Sequence, residues 1–162
     1  MNENIVKVGM ADLNVATDPF VLTTLGLGSC VGVCIYDPYS KVAGLAHIML
    51  PYSSQSGSEQ NPAKYADTGI PLLLEEMIKV GAKKIHMVAK LAGGAQMFKF
   101  KQENDIIRIG QKNTEACKEL LQRLNIRIIA EDTGGNYGRT IELSSSDGRL
   151  FIRSIGFGVK YI

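Results

Sequence analysis

The sequence predicts an α+β protein, a mixed β-sheet core flanked by helices, in a single domain spanning residues 1–162. Three observations lead there. β-rich runs recur along the whole chain, about eight of them. Adjacent strand pairs joined by turn signals stand near both ends. Only two long stretches carry a helical stripe, too few crossover helices for an all-parallel, doubly wound sheet.

Residues 5–10 (IVKVGM) and 20–25 (FVLTTL) are the first two strands, separated by the turn-forming Thr17-Asp18-Pro19. Gly26-Leu27-Gly28-Ser29 follows, a segment that can adopt positive φ and turn its backbone N–H groups toward a ligand or a developing anion. Residues 31–36 (VGVCIY) alternate with period two, placing Val31, Val33 and Ile35 on one face and Gly32, Cys34 and Tyr36 on the other. Asp37-Pro38-Tyr39-Ser40 fits a type I turn, with Asp at its first position and Pro at its second. Residues 41–50 (KVAGLAHIML) then complete an antiparallel hairpin.

The register of that hairpin bears on chemistry. With Pro38 and Tyr39 as a two-residue loop, Val33 lies opposite Gly44 and Cys30 opposite His47. Directly opposed residues share a face, with Cβ atoms about 4.5–5.5 Å apart. A slip of one in the index sum would put the two on opposite faces, whereas a slip of two leaves them diagonal neighbours.

Residues 52–62 (YSSQSGSEQNP) are small and polar and read as a mobile surface loop, a lid or substrate edge. Asn61-Pro62 can cap a helix whose stripe runs through Ala66, Ile70, Leu73, Leu74, Met77 and Val80 to Gly81. Pro71 falls inside the stripe, so this helix is either kinked there or begins nearer Asp67 and Thr68. Residues 84–91 (KIHMVAKL) read as a strand, Gly93-Gly94 as a tight turn, and residues 111–124 as an amphipathic helix burying Ala116, Leu120, Leu121 and Leu124. Strands at 126–130, 139–143 and 149–155 close the chain, the last two joined by the Ser146-Asp147-Gly148 turn.

Composition narrows the function. With 45% hydrophobic and 21% charged residues, the chain has the make-up of an ordinary soluble globular protein. A net charge of +2, without a Lys/Arg run, argues against nucleic acid or an anionic membrane as partner. No apolar run approaches the ~20 residues of a membrane span, and the first residues do not form a secretory signal. Cys30, Cys34 and Cys117 are an odd number without disulfide-framework spacing, so three reduced thiols in a cytoplasmic protein are expected.

The segment LTTLGLGSC puts Cys30 directly behind a glycine-rich turn. A cysteine hydrolase needs a thiolate, a base to generate it, a group that orients the base, and donors for the oxyanion. A free thiol is mostly protonated at neutral pH, so an imidazole partner matters. Of the two histidines, the hairpin brings His47 near Cys30, while His86 lies elsewhere. Any oxygen acceptor on a neighbouring strand could orient the imidazole, and Thr23 and Thr24 are the nearest in sequence. Taken alone, Cys30 also reads as an inert, small core residue.

Other chemistries fit less well. Cys30 and Cys34, four residues apart on a strand, have α-carbons about 13 Å apart, too far for a local disulfide. The cysteines and histidines lack zinc-site spacing. GLGS lacks the lysine of a P-loop and TGGNYG lacks the dinucleotide-binding pattern, so these glycines read as turn residues. Phe98 and Phe100 alternate with Lys99 and Lys101, which makes either a buried β face or a protein-docking patch.

The segments LTTLGLGSCVGVCIYDP, GLAHIMLP, KYADT, KLAGGAQMF, RIGQKN and AEDTGGNYGRT, in this order through nearly the whole chain, resemble the CheD family of bacterial chemotaxis, the chemoreceptor glutamine deamidases. The resemblance implies a catalytic triad with Cys30 as nucleophile, His47 as general base and acid, and Thr24 orienting the imidazole, without metal or organic cofactor. It also implies a sandwich-like core related to the cysteine deamidases of the cytotoxic necrotizing factor type. The implied substrates are glutamine side chains on the cytoplasmic helices of chemoreceptors, and the implied regulatory partner is the CheC phosphatase. The alternative is a non-catalytic chemotaxis adaptor that binds CheC and receptors and has no need of Cys30.

Overall fold

The computed structural model describes residues 4–53, 61–97 and 108–162. The chain order is β1 (Ile5–Lys7), β2 (Leu13–Thr17), β3 (Val21–Leu27), β4 (Val31–Asp37), β5 (Val42–Ile48), α1 (Ala66–Lys79), β6 (Val88–Gly93), α2 (Ile109–Arg123), β7 (Arg127–Thr133), β8 (Arg139–Ser144), β9 (Leu150–Ser154) and β10 (Gly158–Tyr161). The strands form two five-stranded sheets, ordered β1-β3-β8-β9-β10 and β2-β5-β4-β6-β7. Each is mixed, with one parallel pairing apiece, β1 with β3 and β6 with β7.

The period-two alternation of β4 explains the layering. Val31, Val33 and Ile35 pack with Ile70, Leu73 and Met77 of α1 and Ala116, Cys117 and Leu121 of α2. Cys34 and Tyr36, from the other face, join Leu45, Leu22, Leu27, Ile141 and Ile152 between the two sheets. Helices, inner sheet and outer sheet thus stack in that order. Because β4 and β5 are covered on both faces, every residue of both strands is buried. The α+β expectation with a mixed, sandwich-like core describes this architecture.

Several local expectations are corrected. The β4–β5 hairpin pairs Asp37 with Val42 and Gly32 with His47, so its loop is four residues long instead of two. Asp37 explains the wider turn, since its Oδ1 accepts the N–H groups of Tyr39 and Ser40 and Lys41 closes the loop at φ +54°. Residues 84–86 form a 3₁₀ turn, and the strand begins only at Val88. Asn61 accepts the Ala63 N–H as predicted for a cap, but it caps a short 3₁₀ turn. The long helix then starts at Ala66 and runs through Pro71. The strands β2 and β10 were not expected. Both lie at sheet edges; all four residues of β10 are exposed, so no buried face prints a pattern there, and β2 is only five residues long, with Leu13 and Val15 half-buried against the helix-side core. The proposed lid falls largely outside the described residues, and so do Phe98 and Phe100.

Candidate active site

Thr24, on β3 of the outer sheet, faces inward with Leu22 by ordinary strand alternation, and a bulge follows it. Thr24 pairs with Ile141 and Leu27 with Arg139, so β3 spends one more residue than β8 over this stretch. Gly26 absorbs the extra residue at φ +72°. The bulge brings Leu27 inward as well, three residues after Thr24 and out of the alternation, while Leu25 faces solvent.

His47 projects from β5 of the inner sheet into the same gap, on the face it shares with Ala43 and Leu45. Thr24 Oγ1 and His47 Nδ1 are 2.7 Å apart, a hydrogen bond that bridges the two sheets. Thr24 Oγ1 also lies 2.7 Å from the carbonyl oxygen of Val8. A hydroxyl has one hydrogen, and a carbonyl can only accept, so that hydrogen goes to Val8. Thr24 must then accept from His47, which places the ring proton on Nδ1 and leaves Nε2 with its lone pair. Nε2 is buried and has no hydrogen-bond partner among the described residues. Burial lowers the pKa of His47 below the usual 6.5, which favours the neutral ring.

Cys30 immediately precedes β4. The observed register places His47 opposite Gly32, two residues along from Cys30, so the index sum has slipped by two from the expected one. Cys30 and His47 are therefore diagonal neighbours, not directly opposed, and still share the face between the sheets. Gly32, opposite His47, lets the outer sheet pack closely here, because a Cβ there would stand 2.6 Å from Ile141 Cδ1 and 3.2 Å from Leu27 Cδ1. Burial raises the Cys30 thiol above its usual value, partly offset by hydrogen bonding from the residue's own backbone. Cys34 is buried more deeply and pushed up to about 12, and burial raises Cys117 as well. Of the three free thiols, Cys30 alone lies outside a strand or helix, just ahead of β4.

Three glycine-rich segments that are far apart in sequence converge behind Cys30. The Gly94 N–H donates to the Cys30 carbonyl and the Ala95 N–H to that of Gly28, each at 2.8 Å. The Gly93 carbonyl accepts from Gly134 N–H at 3.0 Å and from the Arg139 guanidinium at 3.4 Å. At Gly93, with φ +108°, a Cβ would overlap the Cys30 carbonyl oxygen, so only glycine permits this approach. Arg139 is buried and pairs with Asp132, 3.1 Å away. Burial would raise the Asp132 carboxyl, but hydrogen bonds from Lys160 and Arg139 hold it below the usual value.

His86 is not part of this site. It lies 3.7 Å from Asp37, at the far end of β4, with its ring against Tyr39. The sequence reading missed the Val8 carbonyl, since a main-chain acceptor leaves no mark on residue identity. It also missed Asn113, a fully buried polar residue of α2 whose Nδ2 donates to the carbonyls of Ser29 (3.0 Å) and Met49 (2.9 Å). Its signal was available: Asn113 precedes Ala116 by three positions and Leu120 by seven, a polar residue on the apolar stripe. No group of three or more potential metal ligands occurs among the described residues.

Comparison with known proteins agrees on kinship. The chain is 59% identical over its full length, and that of the relative, to a probable chemoreceptor glutamine deamidase CheD of Caldanaerobacter subterraneus subsp. tengcongensis. It is 55% identical, again with both chains fully covered, to the chemoreceptor glutamine deamidase CheD of Halalkalibacterium halodurans. A probable chemoreceptor glutamine deamidase CheD of Clostridium novyi is 51% identical, also over the whole of both chains. The family model described as CheD chemotactic sensory transduction matches residues 49–154, a stretch that begins just beyond His47. The chain belongs to the CheD family of chemotactic sensory transduction.

Proposed function

We propose that the protein is a cysteine-dependent protein-glutamine deamidase that converts chemoreceptor glutamine side chains to glutamate, with Cys30 as nucleophile, His47 as base and acid, and Thr24 orienting His47. The observation that carries the reading is the committed hydroxyl of Thr24, which leaves a lone pair on His47 Nε2 in the gap Cys30 faces.

The chemistry follows from that arrangement. The Cys30 thiol gives its proton to His47 Nε2 as its sulfur attacks the carboxamide carbon. Charge develops on the former carbonyl oxygen, and the donor we assign to it is the backbone N–H of Cys30, the residue that carries the nucleophile. Protonated His47 returns the proton to the departing nitrogen, the C–N bond breaks, and ammonia leaves a thioester. Water then attacks the thioester carbon, its proton passing to His47. The C–S bond breaks, glutamate is released, and Cys30 recovers its proton. Two groups that begin neutral suit this route: burial disfavours both the thiolate and the imidazolium until proton transfer couples them.

A macromolecular substrate needs a surface beside the thiol. Met10, Leu25 and Met97 are exposed, and Met97 lies against Gly28. Lys7, Val8, Gly9, Met10, Thr23, Thr24 and Leu25 line a depression of about 280 Å³ on the Thr24 side. An apolar rim of this kind suits a helix laid across the site. Family kinship further supports a cytoplasmic protein regulated by binding CheC, and the sandwich core supports a relation to the cytotoxic necrotizing factor deamidases. No helix among the described residues is long and apolar enough to cross a membrane.

Incubation of the protein with a receptor cytoplasmic fragment tests the proposal. Ammonia release should match the number of glutamine peptides whose mass changes from amide to acid. Binding of the fragment with no mass change and no ammonia would leave the adaptor reading in its place.

A further inference from the structure

The β4–β5 ladder ends just short of the site. Its last pair is Val31 with Ile48, and one step further the strands part. The Met49 and Leu50 N–H groups turn to the Lys64 carbonyl, and the Cys30 carbonyl accepts from Gly94. Cys30 therefore sits beyond the last rung, where the ladder no longer fixes its distance from the strand carrying His47.

Asn113 spans that gap from α2. Its Nδ2 donates one hydrogen to the Ser29 carbonyl, next to Cys30, and the other to the Met49 carbonyl, two residues past His47. The amide orientation is fixed by chemistry: both facing groups are carbonyls, which can accept from nitrogen and not from Oδ1. Oδ1 is buried with no hydrogen-bond partner among the described residues. A buried acceptor left alone is unfavourable, so the two donated bonds are what this side chain contributes. α2 is itself pressed onto the loop behind Cys30, where Gly110 packs so closely on Ala95 and Gly94 that a Cβ would overlap their carbonyl oxygens.

We infer that Asn113 is a positioning residue, an added rung that holds the Cys30 and His47 segments at the separation proton transfer requires. The inference rests on the catalytic roles proposed above for those two residues. Removing both donors frees two carbonyls to move apart, and a misplacement of ~1 Å in such a pair lowers turnover about 100-fold.

The test compares Asn113→Ala and Asn113→Ser with the parent and with Cys30→Ala. Three quantities are read: kcat and KM for ammonia release from a receptor fragment, the pH dependence of Cys30 alkylation by iodoacetamide, and the thermal midpoint. For folded Asn113→Ala, kcat should fall about 100-fold with KM unchanged. Alkylation near neutral pH should slow about tenfold, equivalent to one unit in the thiol's ionisation. Asn113→Ser, a milder change that keeps one donor hydrogen, should fold and lie between the two. A purely structural residue would lower the thermal midpoint and leave kcat and the alkylation profile of the folded protein as in the parent. That result in either variant overturns the inference. If Cys30→Ala is inactive while a folded Asn113 variant turns over at the parental rate, the rung alone is wrong. Parental activity in Cys30→Ala removes the catalytic roles and the rung with them.

Discussion

Replacing Thr24 by Val keeps the shape of the side chain and deletes its hydroxyl. The Val8 carbonyl loses its donor and the His47 Nδ1–H its acceptor, both between the sheets. Each buried group left unpaired costs about 1–3 kcal/mol, so Thr24→Val should be less stable by about 2–6 kcal/mol. The larger consequence is chemical. Without Thr24 nothing holds the ring proton on Nδ1, and an imidazole protonated on Nε2 cannot accept from Cys30. Loss of the correct tautomer in a comparable triad lowers kcat about 10⁴-fold, which sets the upper end here. Steady-state ammonia release from a receptor fragment, under conditions where the variant is folded, should show kcat down at least about 100-fold. Thr24→Ser, which keeps the hydroxyl, should restore most of it. In the parent, nitrogen NMR of the histidine ring should show Nδ1 protonated. A folded Thr24→Val protein with parental kcat would refute the tautomer argument.

Other consequences are as specific. Burial lowers the His47 pKa, so the acid limb of kcat/KM should have its midpoint below 6.5, and a midpoint above 6.5 would contradict the buried neutral base. The same shift sets a stability trend: the unfolded chain takes up the proton near pH 6.5 before the folded one does, so this group costs nothing above 6.5. Urea midpoints should then decline as the pH falls below that value. Gly93→Ala would force a side chain into positive φ and onto the Cys30 carbonyl. Backbone strain of about 1–3 kcal/mol and a similar overpacking cost should appear in urea unfolding, with activity falling in parallel. Arg139→Met leaves Asp132 with Lys160 as its remaining partner and frees the Gly93 carbonyl, so the loss in urea unfolding should stay below the about 3–5 kcal/mol of a buried pair broken outright.

Much of the site was legible because it depends on alternation. Once Val31, Val33 and Ile35 were assigned to one face, Cys30 and Cys34 had to lie on the other. A slip of two in register could not separate Cys30 from His47, so the mistaken loop length changed a directly opposed pair into a diagonal one. The loop itself was misjudged because the side chain of Asp37 organises four residues where the sequence suggested two. Thr24 could be singled out from Thr23 only through family resemblance, since two adjacent threonines face opposite ways and the sequence does not say which face of β3 meets the inner sheet. The supporting contacts were beyond local pattern altogether. The Val8 carbonyl, the meeting of three glycine segments and the grip of Asn113 on Ser29 and Met49 join elements distant in sequence.

The most direct measurement of the central claim compares the parent protein with Cys30→Ala on the same receptor cytoplasmic fragment, by peptide mass spectrometry and ammonia assay together. Cys30 is buried and the change removes one sulfur, so the variant should stay folded and still bind the fragment. The account predicts amide-to-acid conversion at receptor glutamines with equivalent ammonia for the parent, and neither for Cys30→Ala. Conversion by Cys30→Ala at the parental rate would contradict it.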